Sequence, residues 1–189
     1  EGLLHLFAPA SRRRLHAAAL QFVDKRNPED ARTLARIARH AEGSGAHARA
    51  AEAYLALADS AARRHRLLEA EANYSAALGF LEPASFAQER AYAGRGQARA
   101  LIDRYDDAIL DLERAVQLAT GRNDKRTEAD LLLDLATLHD LRSAYDASAA
   151  AMERAATIVD GLDEPRLSAR VDAARGRTLR GRGKTAEAV

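Results

Sequence analysis

Gly181-Arg182-Gly183-Lys184-Thr185 ends in the Gly-Lys-Thr of a phosphate-binding loop, where backbone N–H groups and a lysine cradle phosphate. The first glycine of such a loop would fall at residue 178, which is Thr178, and no strand pattern leads into it. Gly94-Arg95-Gly96 likewise lacks the strand and the third glycine of a dinucleotide fingerprint. The six histidines, His5, His16, His40, His47, His65 and His139, contain no i, i+4 pair and no His-Glu-x-x-His, so zinc ligation has no sequence support. Asp103, Asp106, Asp107 and Asp111 cluster around one turn, and carboxylates so placed could bind a divalent ion or exchange protons. A plainer role is available for Asp106 and Asp107, because negative charge in the first turn of a helix is stabilised by about 0.3–1 kcal/mol per residue. Arg12-Arg13-Arg14, Arg63-Arg64-His65-Arg66 and the run from Arg175 to Lys184 could touch phosphates. No aromatic residues are interleaved with them and acidic residues are nearly as common elsewhere, so solvated helix faces or a C-terminal turn explain them better. No nucleophile and base pair and no metal cluster emerges, and the chain reads as a non-enzyme without cofactor.

Composition limits the alternatives. Lys+Arg is 29 and Asp+Glu 28, a net charge of +1, so no long-range field draws in nucleic acid or an anionic membrane. Cysteine is absent, which removes disulfides and thiolate chemistry. No apolar run approaches the ~20 residues of a membrane span, and no leader is visible, so a cytoplasmic protein is expected. Hydrophobic residues are 47% but aromatics only 5%, and alanine dominates the apolar set. Alanine is the best helix former and permits close helix packing, so the expected class is all-α. Lysine occurs only at Lys25, Lys125 and Lys184, and this arginine bias with abundant alanine suggests GC-rich coding DNA and a bacterial source. A start at Glu1-Gly2 without methionine, and an end inside a helical pattern, suggest a piece of a longer polypeptide.

The elements that must carry these residues repeat. Tyr105, Tyr145 and Thr185 stand 40 residues apart in similar settings, and Leu67 to Tyr74 fills the same slot at a spacing of 38. Within Arg104 to Leu118, small alanines occupy the apolar stripe where an isolated helix would prefer leucine. Small side chains belong where two helices cross at 8–10 Å. The repeats from Glu89 to Thr120, with Tyr92, Gly96, Tyr105, Ala108 and Ala115, and from Ala129 to Asp160, with Leu132, Ala136, Tyr145, Ser148, Met152 and Ala155, resemble the tetratricopeptide repeat, a helix-turn-helix of ~34 residues. Residues 51–82, with Tyr54, Ala58, Ala70, Tyr74 and Ala77, and the partial repeat 169–189, with Gly176 and Ala188, resemble it more loosely. The resemblance implies a right-handed superhelix of about nine or ten antiparallel helices, a single continuous solenoid from residue 51 preceded by a less regular segment 1–50. It makes Gly183-Lys184-Thr185 an inter-helix turn.

In segment 1–50, Leu3, Leu4, Leu6 and Phe7 form a short apolar stretch, and Leu15, Ala18, Ala19 and Phe22 mark a helix from Ser11. Asn27-Pro28-Glu29-Asp30 reads as a helix start, with Asn27 as N-cap and Pro28 at the first helical position. The helix carries Leu34, Ile37, Ala38 and Ala41 and stops at Gly43-Ser44-Gly45. Residues 1–82, through Leu34-Ala35-Arg36-Ile37-Ala38-Arg39-His40, are similar to the helical region that follows the nucleotide-binding module in bacterial STAND-type signalling ATPases and tetratricopeptide-bearing serine/threonine kinases.

In tetratricopeptide stacks the first helix of each pair lines a groove. The resemblance maps that groove onto Glu52, Asp59 and Arg63, then Arg90 and Gln97, then Asp130, Thr137 and Asp140, then Arg170, Arg177 and Arg180. An acidic stripe followed by a basic one would suit an extended peptide of mixed charge. The lysine and asparagine places with which relatives clamp a terminal carboxylate are here Ala93 and Gln97, so that specificity does not carry over. The implied function is a protein-interaction scaffold, the sensor or effector-binding arm of a larger bacterial signalling protein. A ligand-free oligomerisation module, self-associating through its last repeat, is the other reading the sequence leaves open.

Overall fold

The computed structural model describes residues 8–24 and 30–183. Among these are nine α-helices and no strand: α1 (Pro9–Asp24), α2 (Ala31–Ser44), α3 (His47–Arg63), α4 (Leu67–Leu78), α5 (Phe86–Ala100), α6 (Tyr105–Gly121), α7 (Lys125–Leu141), α8 (Tyr145–Val159) and α9 (Pro165–Gly181). The chain divides into two compact units, Glu1–Ala98 and Arg99–Val189.

The repeat is written in the backbone. The turns after α3, α5, α7 and α9 each place one residue in the left-handed region: His65 (φ 55°), Asp103 (φ 61°), Ser143 (φ 56°) and Gly183 (φ 76°). These follow one another at 38, 40 and 40 residues, the spacing of the side-chain pattern. Only Gly183 takes that conformation without steric cost; the other three rely on a well-packed turn to hold it. Gly183 closes a helix rather than following a strand, as expected of an inter-helix turn. Lys184 and Thr185 lie outside the described residues, as do Leu3 to Phe7 and Asn27 to Glu29.

In the first unit α3 packs on α2 and α4, and α2 on α1. Ala58, Ala61, Ala70, Ala77 and Ala91 are completely buried around Tyr74 and Leu55, and Val23, Leu34, Ile37, Ala38, Ala53 and Leu57 form a second cluster. Helix α2 starts at Asp30, whose Oδ1 accepts from the Thr33 backbone N–H at 2.8 Å, so the cap falls three residues later than the Asn27 expected. Its far end at Ser44 and Gly45 (φ 82°) is where the sequence put it. Helix α1 departs further. It begins at Pro9, and its Leu15 and Phe22 are exposed, while Val23 is buried and Leu20 packs beside it. The helix has two partly apolar sides, and periodicity alone selected the outward one.

In the second unit α7 packs on α6, α8 and α9, and α8 on α9. Ala108 and Ala115 of α6, and Ala129, Ala136 and Ala155, are fully buried, so backbones approach where the sequence places alanine. Ser148 takes the same kind of place on α8 and is also fully buried, its hydroxyl sharing a 2.9 Å hydrogen bond with Thr178 of α9. Tyr105 opens α6 and donates to Asp103 Oδ1 at 2.6 Å; Asp106 and Asp107 stand in the first turn.

A tyrosine on one helix and a glycine on the next form a second device. A Cβ at Gly94 would lie 2.4 Å from the Tyr74 ring, and one at Gly181 would lie 2.2 Å from the Tyr145 ring. Tyr74 is only 5% exposed and its hydroxyl donates to Asp59 Oδ1 at 2.7 Å, so the ring cannot swing away. Replacing a helical glycine by alanine ordinarily gains about 0.5–1 kcal/mol, whereas overpacking a core costs about 1–3 kcal/mol. Gly94→Ala should therefore lower the melting temperature. Gly121→Ala, at an exposed position with nothing within 4 Å, should raise it. Thermal unfolding of both variants decides: a stabilised Gly94→Ala would show that the ring contact constrains nothing.

Candidate functional site

The first unit holds a groove of about 720 Å³ between α2, α3 and α5. Helix α3 presents Glu52, Asp59 and Arg63 along one face, since seven and then four residues return to nearly the same direction. All three line the groove with Arg90 of α5, and Leu34, Leu55, Ala56 and Ala87 supply its apolar wall. Gln97, on the same helix as Arg90, is exposed and does not line it.

Most of the groove's charges are engaged. Arg49, which the sequence reading missed, bonds Asp24 at 2.6 Å and Glu52 at 3.1 Å. Asp59 pairs with Arg90 and accepts from Tyr74. Arg63 is exposed and makes no hydrogen bond or ion pair among the described residues. Among the described residues the groove thus offers one open cation, Arg63, beside an apolar wall.

In the second unit the residues expected to form separate acidic and basic stripes meet each other. Arg170 of α9 pairs with Asp130 of α7 and donates to Asp134 Oδ1 at 2.6 Å. Arg177 Nη2 donates to Thr137 Oγ1 at 2.9 Å, and its Nε lies 3.7 Å from Asp140 Oδ2. Thr178 also donates to Asp140, at 3.2 Å. Arg180 is exposed and has no such partner among the described residues. The signal for this cross-pairing was present, because Arg170 follows Asp130, and Arg177 follows Thr137, by one 40-residue repeat.

The other chemical candidates disperse. Asp111 is buried against Arg99 at 2.8 Å, Asp107 pairs with Arg104, and Asp106 with Arg142. Arg182 repeats the last contact with Asp146, 40 residues further on. Among the described residues no three His, Cys, Asp or Glu side chains are grouped to hold a metal ion. His16 and His40, 24 residues apart in sequence, do meet, with Nδ1 atoms 3.1 Å apart between α1 and α2. No described helix is long and apolar enough to cross a membrane.

Solved structures with this arrangement of helices are found over 95–100% of the chain. A Podosopora anserina putative kinesin light chain with nearly identical TPR-like repeats matches at 12% identity and TM-score 0.71, over 96% of this chain and 91% of that one. The fold is that of TPR-like helical repeats. BtubC (BKLC) from P. vanneervenii matches at 14% identity and TM-score 0.67, over 96% of this chain and 87% of that one. The MamA protein matches at 19% identity and TM-score 0.62, over 95% and 87%. No protein-family model matches the chain, and no curated protein does. At these identities the likeness is one of fold, and the TPR-like frame accounts for the alanine stripes and the glycine contacts.

Two tyrosines of the first unit give it a pH signature. Burial, then the 2.8 Å hydrogen bond it donates to Glu42, pushes the Tyr54 hydroxyl up to about 12; burial and the bond to Asp59 raise Tyr74 also. Above pH ~10 the unfolded chain loses these protons first, so their contribution is full below that pH and is lost as pH climbs toward the folded values. Urea unfolding between pH 8 and 11.5 should show stability falling above pH ~10, and less steeply in Tyr54→Phe. Identical slopes in the two proteins would remove Tyr54 from this account.

Proposed function

We propose that this chain is a protein-interaction scaffold that holds an extended peptide segment against α3 and α5, with Arg63 anchoring a carboxylate of that segment. The observation that carries the reading is the charge inventory of the groove: Glu52, Asp59 and Arg90 are engaged within the protein, and Arg63 is left open beside Leu55 and Ala56. The favoured segment has an acidic residue next to small or aliphatic ones, since the wall is apolar and the open charge positive. In the second unit the same reading lays a segment along α7 and α9. A mixed-charge peptide there exchanges for the contacts of Arg170 and Arg177 with Asp130, Thr137 and Asp140, and Arg180 is the cation open to it.

TPR-like repeats support such a role because stacked helix pairs present long faces of side chains rather than a closed cavity. The resemblance of residues 1–82 to the helical region of STAND-type ATPases supports a finer placement, as the sensor or effector-binding arm of a larger bacterial signalling protein. A parent gene without a nucleotide-binding or kinase module before Glu1 would remove that placement and leave the scaffold reading intact.

A membrane array of 15-residue peptides, tiled over random and acidic-aliphatic sequences and probed with the purified chain, tests the groove. Bound spots should be enriched in Asp or Glu beside Leu, Val or Ala. Arg63→Glu should weaken them at least tenfold while melting as the parent does, and Arg12→Glu should leave them unchanged. Equal retention by Arg63→Glu would sink the assignment.

A further inference from the structure

The 40-residue offset allows one helix pair to be compared with the next, and a difference between them marks a second surface. At the end of α5, Arg99 Nη1 donates to Asp111 Oδ2 of α6 at 2.8 Å, and the two side chains retain only 16% and 5% exposure. Forty residues later the same two places hold His139 of α7 and Ala151 of α8. The neighbouring places change in the same direction, from Asp107 and Leu110 to Ala147 and Ala150, while Arg114 is kept as Arg154. One side of α8 thus lacks the charge and volume that α6 carries, and a groove of about 800 Å³ lies there, between α6 and α8 and over α7.

The groove holds two bases, His139 and Arg154, on one side and a single acid, Glu113, on the other. His139 makes no side-chain hydrogen bond among the described residues, and Arg154, 59% exposed on the α8 rim, reaches only Glu128 at 3.5 Å. Between them the exposed methyls of Ala147 and Ala150 give the groove an apolar surface, backed by the buried Leu132 and Leu135. On the opposite rim Glu113 of α6 is exposed and disfavours a second carboxylate on that side. These residues lie on the side of α7 away from Asp130 and Thr137, since positions 132, 135 and 139 point roughly opposite to 130 and 137 on an α-helix.

We propose that this groove docks an amphipathic helix of a partner protein, which supplies the carboxylate that Asp111 supplies to the preceding pair. The partner's Asp or Glu sits between His139 and Arg154, and either an imidazole N–H or the guanidinium can donate to it. An aliphatic side chain one turn away covers Ala147 and Ala150, and a lysine or neutral residue faces Glu113. The mode is helix-in-groove recognition, read by anchors at i and i+4.

The test uses the full chain and a fluorescein-labelled, alanine-based 16-residue helical peptide that presents Leu at i, Glu at i+4 and Lys on the adjoining face. A counterpart has the Glu replaced by Gln. Anisotropy titrations should show binding of the Glu peptide, with the Gln peptide at least tenfold weaker. His139→Arg with Ala151→Asp rebuilds the α5–α6 arrangement and fills the groove, so it should reduce affinity at least tenfold with an unchanged or raised melting temperature. Arg154→Gln, a surface change, should weaken the Glu peptide several-fold and the Gln peptide little, which keeps the test decisive should the double variant fold poorly. Equal affinity for the two peptides, no binding of either, or binding undiminished in Arg154→Gln overturns the proposal. Concentration-dependent dimerisation abolished by Arg154→Gln also overturns it, because the occupant would then be a second copy of the chain.

Discussion

Two helix backbones can approach closely only where the side chains between them are nearly absent, and this constraint governs the molecule. Ala58, Ala61, Ala70 and Ala77 in one unit, and Ala108, Ala115, Ala129 and Ala136 in the other, have no exposed surface at all. An alanine contributes little apolar area, so each contact is individually weak, and stability must come from many of them in register. Register is then fixed by the larger features. Tyr74 over Gly94 and Tyr145 over Gly181 favour one axial position of the neighbouring helix, because each ring occupies the space a Cβ would fill.

Once the spacing of helices is set, the charges have little freedom. Residues one repeat apart on successive first helices become neighbours, so Asp130 meets Arg170 and Thr137 meets Arg177. The same offset brings Arg142 to Asp106 and Arg182 to Asp146. Exposed pairs of this kind contribute roughly 0–1 kcal/mol each, so their effect on stability is small. Their effect on recognition is larger, because a paired charge is not available to a ligand without an exchange. A charge without a pair, as Arg63 is among the described residues, needs no such exchange.

The legibility of the sequence follows the same division. All-α architecture, the period of about 40 residues, the turn at Gly183 and the roles of Ala108, Ala115, Tyr105, Asp106 and Asp107 could be read directly, because each depends on local spacing and residue size. Of the positions mapped on α3 and α5, Glu52, Asp59, Arg63 and Arg90 line one groove, and Gln97 does not. Three things escaped. The outward side of α1 carries Leu15 and Phe22, and a helix with apolar residues on two sides gives periodicity no means to choose between them. His16 and His40 meet only because α1 and α2 pack, a contact 24 residues apart that no motif encodes. The pairing of Arg170 with Asp130 was missed because each helix was read as a separate stripe, whereas the repeat places the two stripes side by side.

That last error has a constructive counterpart. In an ideal repeat every copy would satisfy its charges identically, and the differences between copies would be noise. Here they are not uniform. The α5–α6 pair secludes a guanidinium and a carboxylate, and the α7–α8 pair replaces them with imidazole and methyl at the same register. Burying a carboxylate beside arginine carries a desolvation cost that geometry must offset, so loss of the pair need not weaken the fold. A smaller volume is different, because an open groove forgoes packing contacts that the α5–α6 copy makes. A repeat protein that carries its scaffold in the shared positions can carry its specificity in the places where one copy differs from the next, as α7–α8 differs from α5–α6.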